Sequence, residues 1–221
     1  MAALAARSVT TQIRPIDFEA LADLVAGADP SRRTVIAIAG APGSGKSTLA
    51  EKLVERLNAG DEGSAALLPM DGYHYDDRVL IERGLKARKG APETFDALGL
   101  VHMLDRLRRN DEDEVAVPVF DRDLEIARAG ARIIPQGVRV LVVEGNYLLL
   151  NAAPWSALRP LFDLAVMIEA PEKTLRERLV ARWRGYKLSA AAVKAKVDGN
   201  DLPNARTVAD MSAPADYVLT T

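Results

Sequence analysis

The sequence predicts an α/β fold in which helices cover both faces of a mostly parallel central sheet. Short apolar runs rich in β-branched residues, such as residues 34–39 and 139–143, are typical of strands that are buried on both faces. Segments with apolar residues at helical spacing lie between these runs, and this alternation favours a parallel sheet. The 221-residue chain is 48% hydrophobic, which is enough for one sizeable core.

Strands and helices are predicted to follow one another along the chain. A helix at residues 16–26 has Asp17 as a suitable N-cap, and a strand at 34–39 leads into a helix at 46–57. Pro118 limits a strand at 115–120, and Pro171 takes an allowed first-turn position in a helix at 171–183. The remaining strands are predicted at 65–69, 132–134, 139–143, 164–168 and 217–219, and the remaining helices at 77–86, 96–109 and 189–197.

Charge and composition narrow the classes of function. The chain has 29 Lys and Arg against 31 Asp and Glu, so it carries no broad basic field for a nucleic-acid partner. It contains no cysteine, which excludes disulfides and thiolate chemistry. Residues 1–11 lack the pattern of a secretory signal, and no apolar run reaches the roughly 20 residues of a membrane span. We therefore expect a cytoplasmic protein without a nucleic-acid or membrane partner.

A single domain is predicted over residues 1–221, because no linker, repeat or low-complexity segment interrupts the chain. Residues 1–30 are expected to form an N-terminal helical extension that packs on this domain. The sequence leaves the oligomeric state open.

A glycine-rich segment after the first strand fits the pattern G-x-x-x-x-G-K-[ST]. Its glycines let the backbone bring N–H groups against phosphate oxygens, and the N-terminus of the next helix favours an anion. Lys46 is expected to reach the β- and γ-phosphates of ATP, and Ser47 to hold Mg²⁺. The alternative is a glycine-rich turn that contains a lysine by chance. The predicted nucleotide-binding residues are Gly40, Ala41, Pro42, Gly43, Ser44, Gly45, Lys46, Ser47 and Thr48.

Glu144 follows the apolar run at residues 139–143. Ligands gather at the C-terminal ends of strands in open α/β sheets, so a carboxylate at this position is a second candidate ligand for Mg²⁺. The alternative is a solvated glutamate in the turn that ends the strand.

Asp71 follows the second predicted strand, across the expected cleft from the glycine-rich segment. Phosphoryl transfer needs a group that accepts the hydroxyl proton, and Asp71 is the candidate for that base. Because Asp71 and Gly72 are also a common turn pair, a purely structural turn is the alternative. Tyr73 and His74 are candidates for the acceptor pocket, although a lone histidine is more often structural.

Arg178 and Arg182 are spaced so that they share one helix face. The planar guanidinium suits phosphate, which makes both residues candidates for neutralising charge during catalysis. The alternative is a solvated helix in which Glu172 and Glu177 pair with them. Arg83, together with Arg88 and Lys89, either steers an anionic acceptor or is surface charge.

These motifs resemble those of the superfamily of uridine kinases, type-I pantothenate kinases and phosphoribulokinases. Residues 40–47 match its phosphate loop, and the sequence Met70-Asp71-Gly72-Tyr73 is similar to the segment that carries its catalytic aspartate. Residues 144–150 and 200–205 resemble the small bacterial kinases called fructose transport system kinases or nucleoside/nucleotide kinases. Further segments that resemble this superfamily are 79–85, 89–96, 118–121 and 142–145.

The resemblance implies a three-layer P-loop NTPase fold and a Mg²⁺-dependent ATP kinase. It implies that Asp71 is the base and that Arg178 and Arg182 belong to a mobile lid at about residues 171–200. It also implies that Asn204 and its neighbours lie near the adenine. Asn146 and Tyr147, in the segment shared with the small bacterial kinases, are expected to bind the acceptor.

The expected acceptor is a hydroxyl group of a small molecule: a sugar such as fructose, a nucleoside or a pantothenate-like alcohol. A GTPase is disfavoured because the chain has no Asn-Lys-x-Asp signature, and a transporter ATPase because it has no Leu-Ser-Gly-Gly signature. A nucleotide-binding ATPase or regulator without a small-molecule acceptor is the alternative that the sequence leaves open.

Overall fold

The chain, described over residues 14–221 by a computed structural model, has its strands in two separate sheets. The strands are β1 (Arg14–Pro15), β2 (Thr34–Gly40), β3 (Ala65–Pro69), β4 (Glu114–Asp121), β5 (Ile126–Pro135), β6 (Val140–Gly145), β7 (Leu164–Glu169) and β8 (Tyr217–Thr220). The central sheet has the order β1-β8-β7-β2-β6-β3, and its neighbouring strands all run parallel. Strands β4 and β5 form an antiparallel hairpin outside it.

Helices pack on both faces of the central sheet, which confirms the predicted fold class. Alternate side chains of β2 enter two core clusters: Val35 and Ala37 pack with α4 in one, and Ile36 and Ile38 pack with α1 and α2 in the other. A third cluster joins the apolar faces of α5, α6 and α7. These helices are α1 (Phe18–Ala26), α2 (Lys46–Gly60), α3 (Asp77–Glu82), α4 (Ala97–Arg109), α5 (Glu172–Gly185), α6 (Ala190–Lys196) and α7 (Leu202–Met211).

Two elements differ from their predicted bounds by more than three residues at one end, and one helix is not predicted at all. Helix α3 ends at Glu82 rather than at residue 86, because the chain turns at Gly84, whose φ of 68° favours glycine. Strand β5 is longer than the predicted 132–134, since its pairing with β4, rather than an apolar run, defines it. Helix α7 is not predicted from the sequence, and Pro203 stands in its first turn, where a helix tolerates proline.

The predicted N-terminal extension, residues 1–30, is described only in part. Asp17 caps α1 as expected, because its Oδ1 accepts a hydrogen bond from the Ala20 N–H at 2.8 Å. Residues 1–13 of the extension lie outside the described residues. Within residues 14–221, no helix combines the length and the apolar character that a membrane crossing needs.

The order of the strands brings three strand ends together. Strand β6 lies between β2 and β3. Its Glu144 is in register with Ile38 of β2 and with Pro69 of β3. Because the three strands are parallel, the segments that follow them leave the same edge of the sheet. This edge is where ligands bind in open α/β sheets.

Replacing Arg33 by leucine is expected to lower the free energy of unfolding by about 2–4 kcal/mol. Arg33 is 4% exposed. Its guanidinium donates to the backbone carbonyl oxygens of Leu107, Pro135, Gln136 and Val138. Chemical denaturation measures the loss, and Arg32→Leu is the control, since Arg32 is half exposed and pairs with Asp163 at the surface. Equal losses in the two variants would contradict a special role for the buried arginine.

Candidate active site

The P-loop, residues 40–48, turns from β2 into α2. Gly43 and Gly45 have positive φ angles of 81° and 91°, a conformation that favours glycine. Gly45 caps α2 without a side-chain hydrogen bond to the first turn, so the N–H groups of that turn remain available to a ligand. A helix N-terminus of this kind is a binding site for phosphate.

Ser47 and Glu144 meet beside the P-loop. The Ser47 hydroxyl donates to Glu144 Oε2 at 3.1 Å, and Glu144 is 4% exposed. Two hard oxygen donors this close suit Mg²⁺, which proteins usually bind through one or two carboxylates together with phosphate oxygens. In the part of the chain that the structure describes, no group of three or more His, Asp or Glu side chains forms a metal site by itself.

Burial raises the pKa of Glu144. The Asp71 carboxylate adds to this rise, whereas Lys46 and the Ser47 hydroxyl oppose it without cancelling it. A buried carboxylate of this kind is stabilised by a nearby cation, which agrees with a metal-binding role.

Asp71 lies in the short 3₁₀ helix Met70–Tyr73 that follows β3, and its side chain is 23% exposed. Arg122, which follows β4, donates to Asp71 Oδ2 at 2.8 Å. The β4–β5 hairpin therefore packs next to the predicted base and supplies a cation to it.

The pKa of Asp71 lies below its ordinary value, although burial acts to raise it. Neighbouring basic groups outweigh burial because they favour the charged carboxylate. In order of effect they are His74, Arg122, Lys46 and Arg182. Asp71 is therefore ionised at neutral pH, in the form that accepts a proton, and it lies within electrostatic reach of the P-loop lysine.

Helix α5 places its two predicted arginines in different positions. Arg178 Nη1 donates to the backbone carbonyl oxygens of Gly43 at 3.3 Å and Ser44 at 3.2 Å, so it holds the P-loop. Arg182 lies one turn further along and lines the cleft that contains Asp71. The two arginines share one helix face, but the guanidinium of Arg178 contacts the P-loop and Arg182 lines the cleft.

A polar cleft of about 180 Å³ opens next to Asp71. Its walls come from the P-loop, the Met70–Tyr73 turn, the β4–β5 hairpin, α5 and the π-helical turn Val197–Asp201. His74, Asn146 and Asn204 line it, and the His74 Nδ1 lies 2.8 Å from the backbone oxygen of Asp71. Burial lowers the pKa of His74 against the opposing pull of the Asp71 carboxylate.

Comparison with known proteins identifies the family. A family profile described as an AAA domain matches residues 36–195. A Schizosaccharomyces pombe protein that is provisionally named a uridine kinase is 35% identical over 197 residues, which cover 85% of this chain and 83% of the yeast protein. The chain belongs to the P-loop kinases related to uridine kinase.

Two further proteins are similar to this P-loop kinase. A crystal structure from Silicibacter sp., provisionally named a fructose transport system kinase, superposes with a TM-score of 0.85 at 42% identity and covers 92% of this chain and 98% of its own. The pantothenate kinase of Enterococcus faecalis is 30% identical over 170 residues, covering 76% of this chain. The chain spans 53% of the length of that pantothenate kinase.

Three residues predicted to bind the acceptor lie outside the polar cleft of this P-loop kinase. Tyr73 is 7% exposed and Tyr147 is fully buried, and both pack in the core that contains Phe95 and Trp155. Arg83 is exposed, with its guanidinium 4.5 Å from the centre of the Tyr75 ring. The two tyrosines thus pack behind the wall of the cleft, and Arg83 lies at the surface.

Asn204 lines the polar cleft. It is 2% exposed, and its Nδ2 donates to the backbone oxygen of Gly90 at 3.3 Å. Its helix neighbours Ala205 and Val208 line a second, apolar pocket of about 550 Å³ that reaches Ala41 of the P-loop. The segment that the resemblance places near the adenine therefore contributes residues to both the cleft and this pocket.

Sequence reasoning missed Arg122 and left the role of Lys89 open. Arg122 directly follows the segment 118–121 that resembles the family, but its pairing with Asp71 depends on how the hairpin folds over β3. Lys89 has a side chain only 12% exposed and lines the cleft, although a charge run at this place is usually solvated. A buried lysine is visible only once the packing around it is known.

Glu144→Gln is expected to raise the melting temperature of the nucleotide-free protein at pH 7 by roughly 2–4 °C, the effect of about 1 kcal/mol in a protein of this size. Because the pKa of Glu144 is raised in the folded protein, folding favours its protonated form. The stability that this form contributes is present below pH 4.5 and is lost as pH rises through the raised pKa. The gain in melting temperature of the Glu144→Gln variant should therefore vanish near pH 4. The same variant should need about 10–100 times more Mg²⁺ for half-maximal activity.

Thermal unfolding at pH 7 and pH 4, with Mg²⁺ titrations of activity, checks both effects. Glu51→Gln on the exposed face of α2 is the matched control. A lower melting temperature at pH 7, or an unchanged Mg²⁺ requirement, would contradict the role assigned to Glu144.

Proposed function

We propose that this P-loop kinase transfers the γ-phosphate of ATP to a hydroxyl group of a small metabolite. One observation carries the proposal: the ionised Asp71 carboxylate lies in a polar cleft, within electrostatic reach of P-loop Lys46. The same sheet edge carries the Ser47–Glu144 pair. A phosphate site, a metal-binding pair and a base beside an acceptor cleft are the parts that phosphoryl transfer to an alcohol needs.

The nucleotide is assigned to the P-loop and the apolar pocket next to it. The N–H groups at the start of α2 bind the phosphates, and Lys46 adds a positive charge there. Ala205 and Val208 line the apolar pocket, which suits a nucleotide base. Ser47 and Glu144 would hold Mg²⁺, which would neutralise negative charge on the nucleotide phosphates.

In the proposed step, the acceptor oxygen forms a bond to the γ-phosphorus, and the bond from that phosphorus to the β–γ bridging oxygen breaks. The hydroxyl proton passes to the Asp71 carboxylate, and ADP leaves with the bridging oxygen. Arg182 faces the same cleft and stabilises the charge on the transferring group. Arg178 keeps the P-loop in shape through its two carbonyl contacts.

The test is ADP release from ATP and Mg²⁺, measured with and without each compound of a panel of hydroxylated metabolites. Sugars, nucleosides, hydroxy acids and sugar phosphates form the panel. Strong stimulation by one compound, with the phosphorylated product seen by mass spectrometry, supports the proposal. A slow rate that no compound changes would favour a nucleotide-binding ATPase or regulator instead.

A further inference from the structure

We propose that the acceptor carries an anionic group, a carboxylate or a phosphate, and that Lys89 and Arg122 bind this group in the polar cleft. The inference rests on the proposed function, because it names the class of substrate for the same cleft. An anionic group on the acceptor favours hydroxy acids and sugar phosphates as substrates over neutral sugars and nucleosides.

The charges of the polar cleft give the first argument. Within the described residues, five basic side chains line it against three acidic ones, an excess of two positive charges in a chain whose formal charge is −2. The acidic residues are Asp71, Glu125 and Asp201, and the basic ones are Lys86, Lys89, Arg122, Arg182 and Lys196. A cleft lined by one excess charge attracts ligands of the opposite sign.

Lys89 gives the second argument. Its ammonium group has three hydrogen-bond donors, of which one reaches Asp77 Oδ1 at 2.8 Å and another the backbone oxygen of Glu125 at 2.5 Å. Asp77 also pairs with Lys86, so one carboxylate serves two ammonium groups. Glu125 Oε2 also lies 3.9 Å from the Lys89 ammonium, so the charge of Lys89 is paired, but one of its three N–H donors is left for a ligand at a side chain that is only 12% exposed.

Phe120 places Lys89 and Arg122 in the same part of the cleft. The Lys89 Nζ lies 5.4 Å and the Arg122 Cζ 6.0 Å from the centre of the Phe120 ring. Both cations therefore border the hairpin side of the cleft, whereas Lys46 and Arg182 belong to the P-loop and α5. The phosphates of ATP account for the latter two cations and leave the hairpin side to the acceptor.

The side-chain amides of Asn146 and Asn204 indicate which groups the rest of the ligand carries. The Oδ1 atoms of Asn146 and Asn204 are buried without a hydrogen-bond partner, and both residues line the cleft. A buried acceptor without a partner is costly, so a ligand that donates hydrogen bonds is favoured there. Asn200 donates to the Lys89 backbone oxygen, which brings this helical segment next to the proposed anion site. The ligand is thus a small molecule with donor groups, such as hydroxyls, and one anionic end.

Matched pairs of compounds that differ in one charged group test this inference. The pairs are glycerate and glycerol, pantothenate and pantothenol, and fructose 6-phosphate and fructose. Binding is measured by calorimetry with the P-loop occupied by a non-hydrolysable ATP analogue and Mg²⁺, and turnover is measured separately as ADP release. We expect the charged member of at least one pair to bind about 10- to 100-fold more tightly, the effect of one charge-assisted hydrogen bond. The carboxylate and phosphate pairs distinguish the two anions.

Lys89→Met should reduce this preference to within about threefold, whereas Lys89→Arg, which keeps the charge, should retain it. Lys52→Met on the exposed face of α2 is the matched control and should leave the preference unchanged. Equal binding within every pair, or a preference that survives in Lys89→Met, overturns the inference.

Binding and turnover separate this inference from the proposed function. A charged compound that binds with the expected preference but releases no ADP contradicts the kinase proposal and leaves the anion site standing. A neutral compound that is phosphorylated as efficiently as its charged partner supports the kinase and overturns the anion site.

Discussion

Asp71→Asn is expected to lower the turnover number by about 10²- to 10⁴-fold and to leave ATP binding nearly unchanged. The substitution keeps the size of the side chain and an oxygen that accepts from Arg122, but it removes the carboxylate that is proposed to take the hydroxyl proton. ATP is proposed to bind mainly through the P-loop, which this change does not touch. Steady-state kinetics with the best acceptor, together with calorimetric titration of ATP, checks both parts.

Asp105→Asn is the matched control, because Asp105 lies on α4 and forms only an exposed ion pair with Arg109. The pH profile adds a second check. Since the pKa of Asp71 lies below its ordinary value of 3.8, its carboxylate should remain charged throughout the neutral and weakly acidic range. Wild-type turnover should therefore show no loss from Asp71 protonation above about pH 4. Normal turnover in the Asp71→Asn protein would rule out its role as the base.

Lys46→Ala is expected to remove most of the activity, with a loss of about 10²- to 10³-fold in kcat/KM for ATP. The lysine is the charged group of the P-loop, and its loss leaves the developing charge on the transferred phosphate without this partner. It also removes one of the charges that hold the pKa of Asp71 below its ordinary value, so that pKa should rise in the variant.

Lys52→Ala, on the exposed face of the same helix, is the control for general effects of removing a lysine from α2. Kinetics at several ATP concentrations distinguish weaker binding from slower transfer. An unchanged kcat/KM in the Lys46→Ala protein would contradict the assignment of the P-loop to ATP phosphates.

The agreement between sequence and structure is closest where local pattern decides the outcome. The P-loop can be read from the sequence because its glycines and its lysine must stand at fixed spacing between a strand and a helix. The positions of Glu144 and Asp71 follow from a simple rule, since each ends an apolar strand and parallel strands present their C-terminal ends at one edge. The Ser47–Glu144 hydrogen bond agrees with this expectation.

The side chains that line the acceptor cleft are harder to predict from local sequence patterns. Tyr73 and Tyr147 lie within motifs next to the site, yet a shift of one or two residues along a turn directs a side chain into the core rather than into the cleft. Arg122 and Lys89 reach the cleft from separate segments, and their approach depends on the β4–β5 hairpin and its packing.

The parallel α/β fold, the phosphate loop and the carboxylates at the strand ends can be predicted from the sequence alone, because periodicity and motif spacing are local properties of the chain. Three features become known only from the folded chain: the basic and amide side chains that surround Asp71, the depth at which Lys89 is buried, and the choice of Arg182 rather than Arg178 for the cleft. These features depend on contacts between segments far apart in the chain, such as Asn200 with Lys89 and Arg122 with Asp71. The physical reason is that charge and hydrogen-bonding capacity gain their effect from burial and neighbours, and both are set by packing.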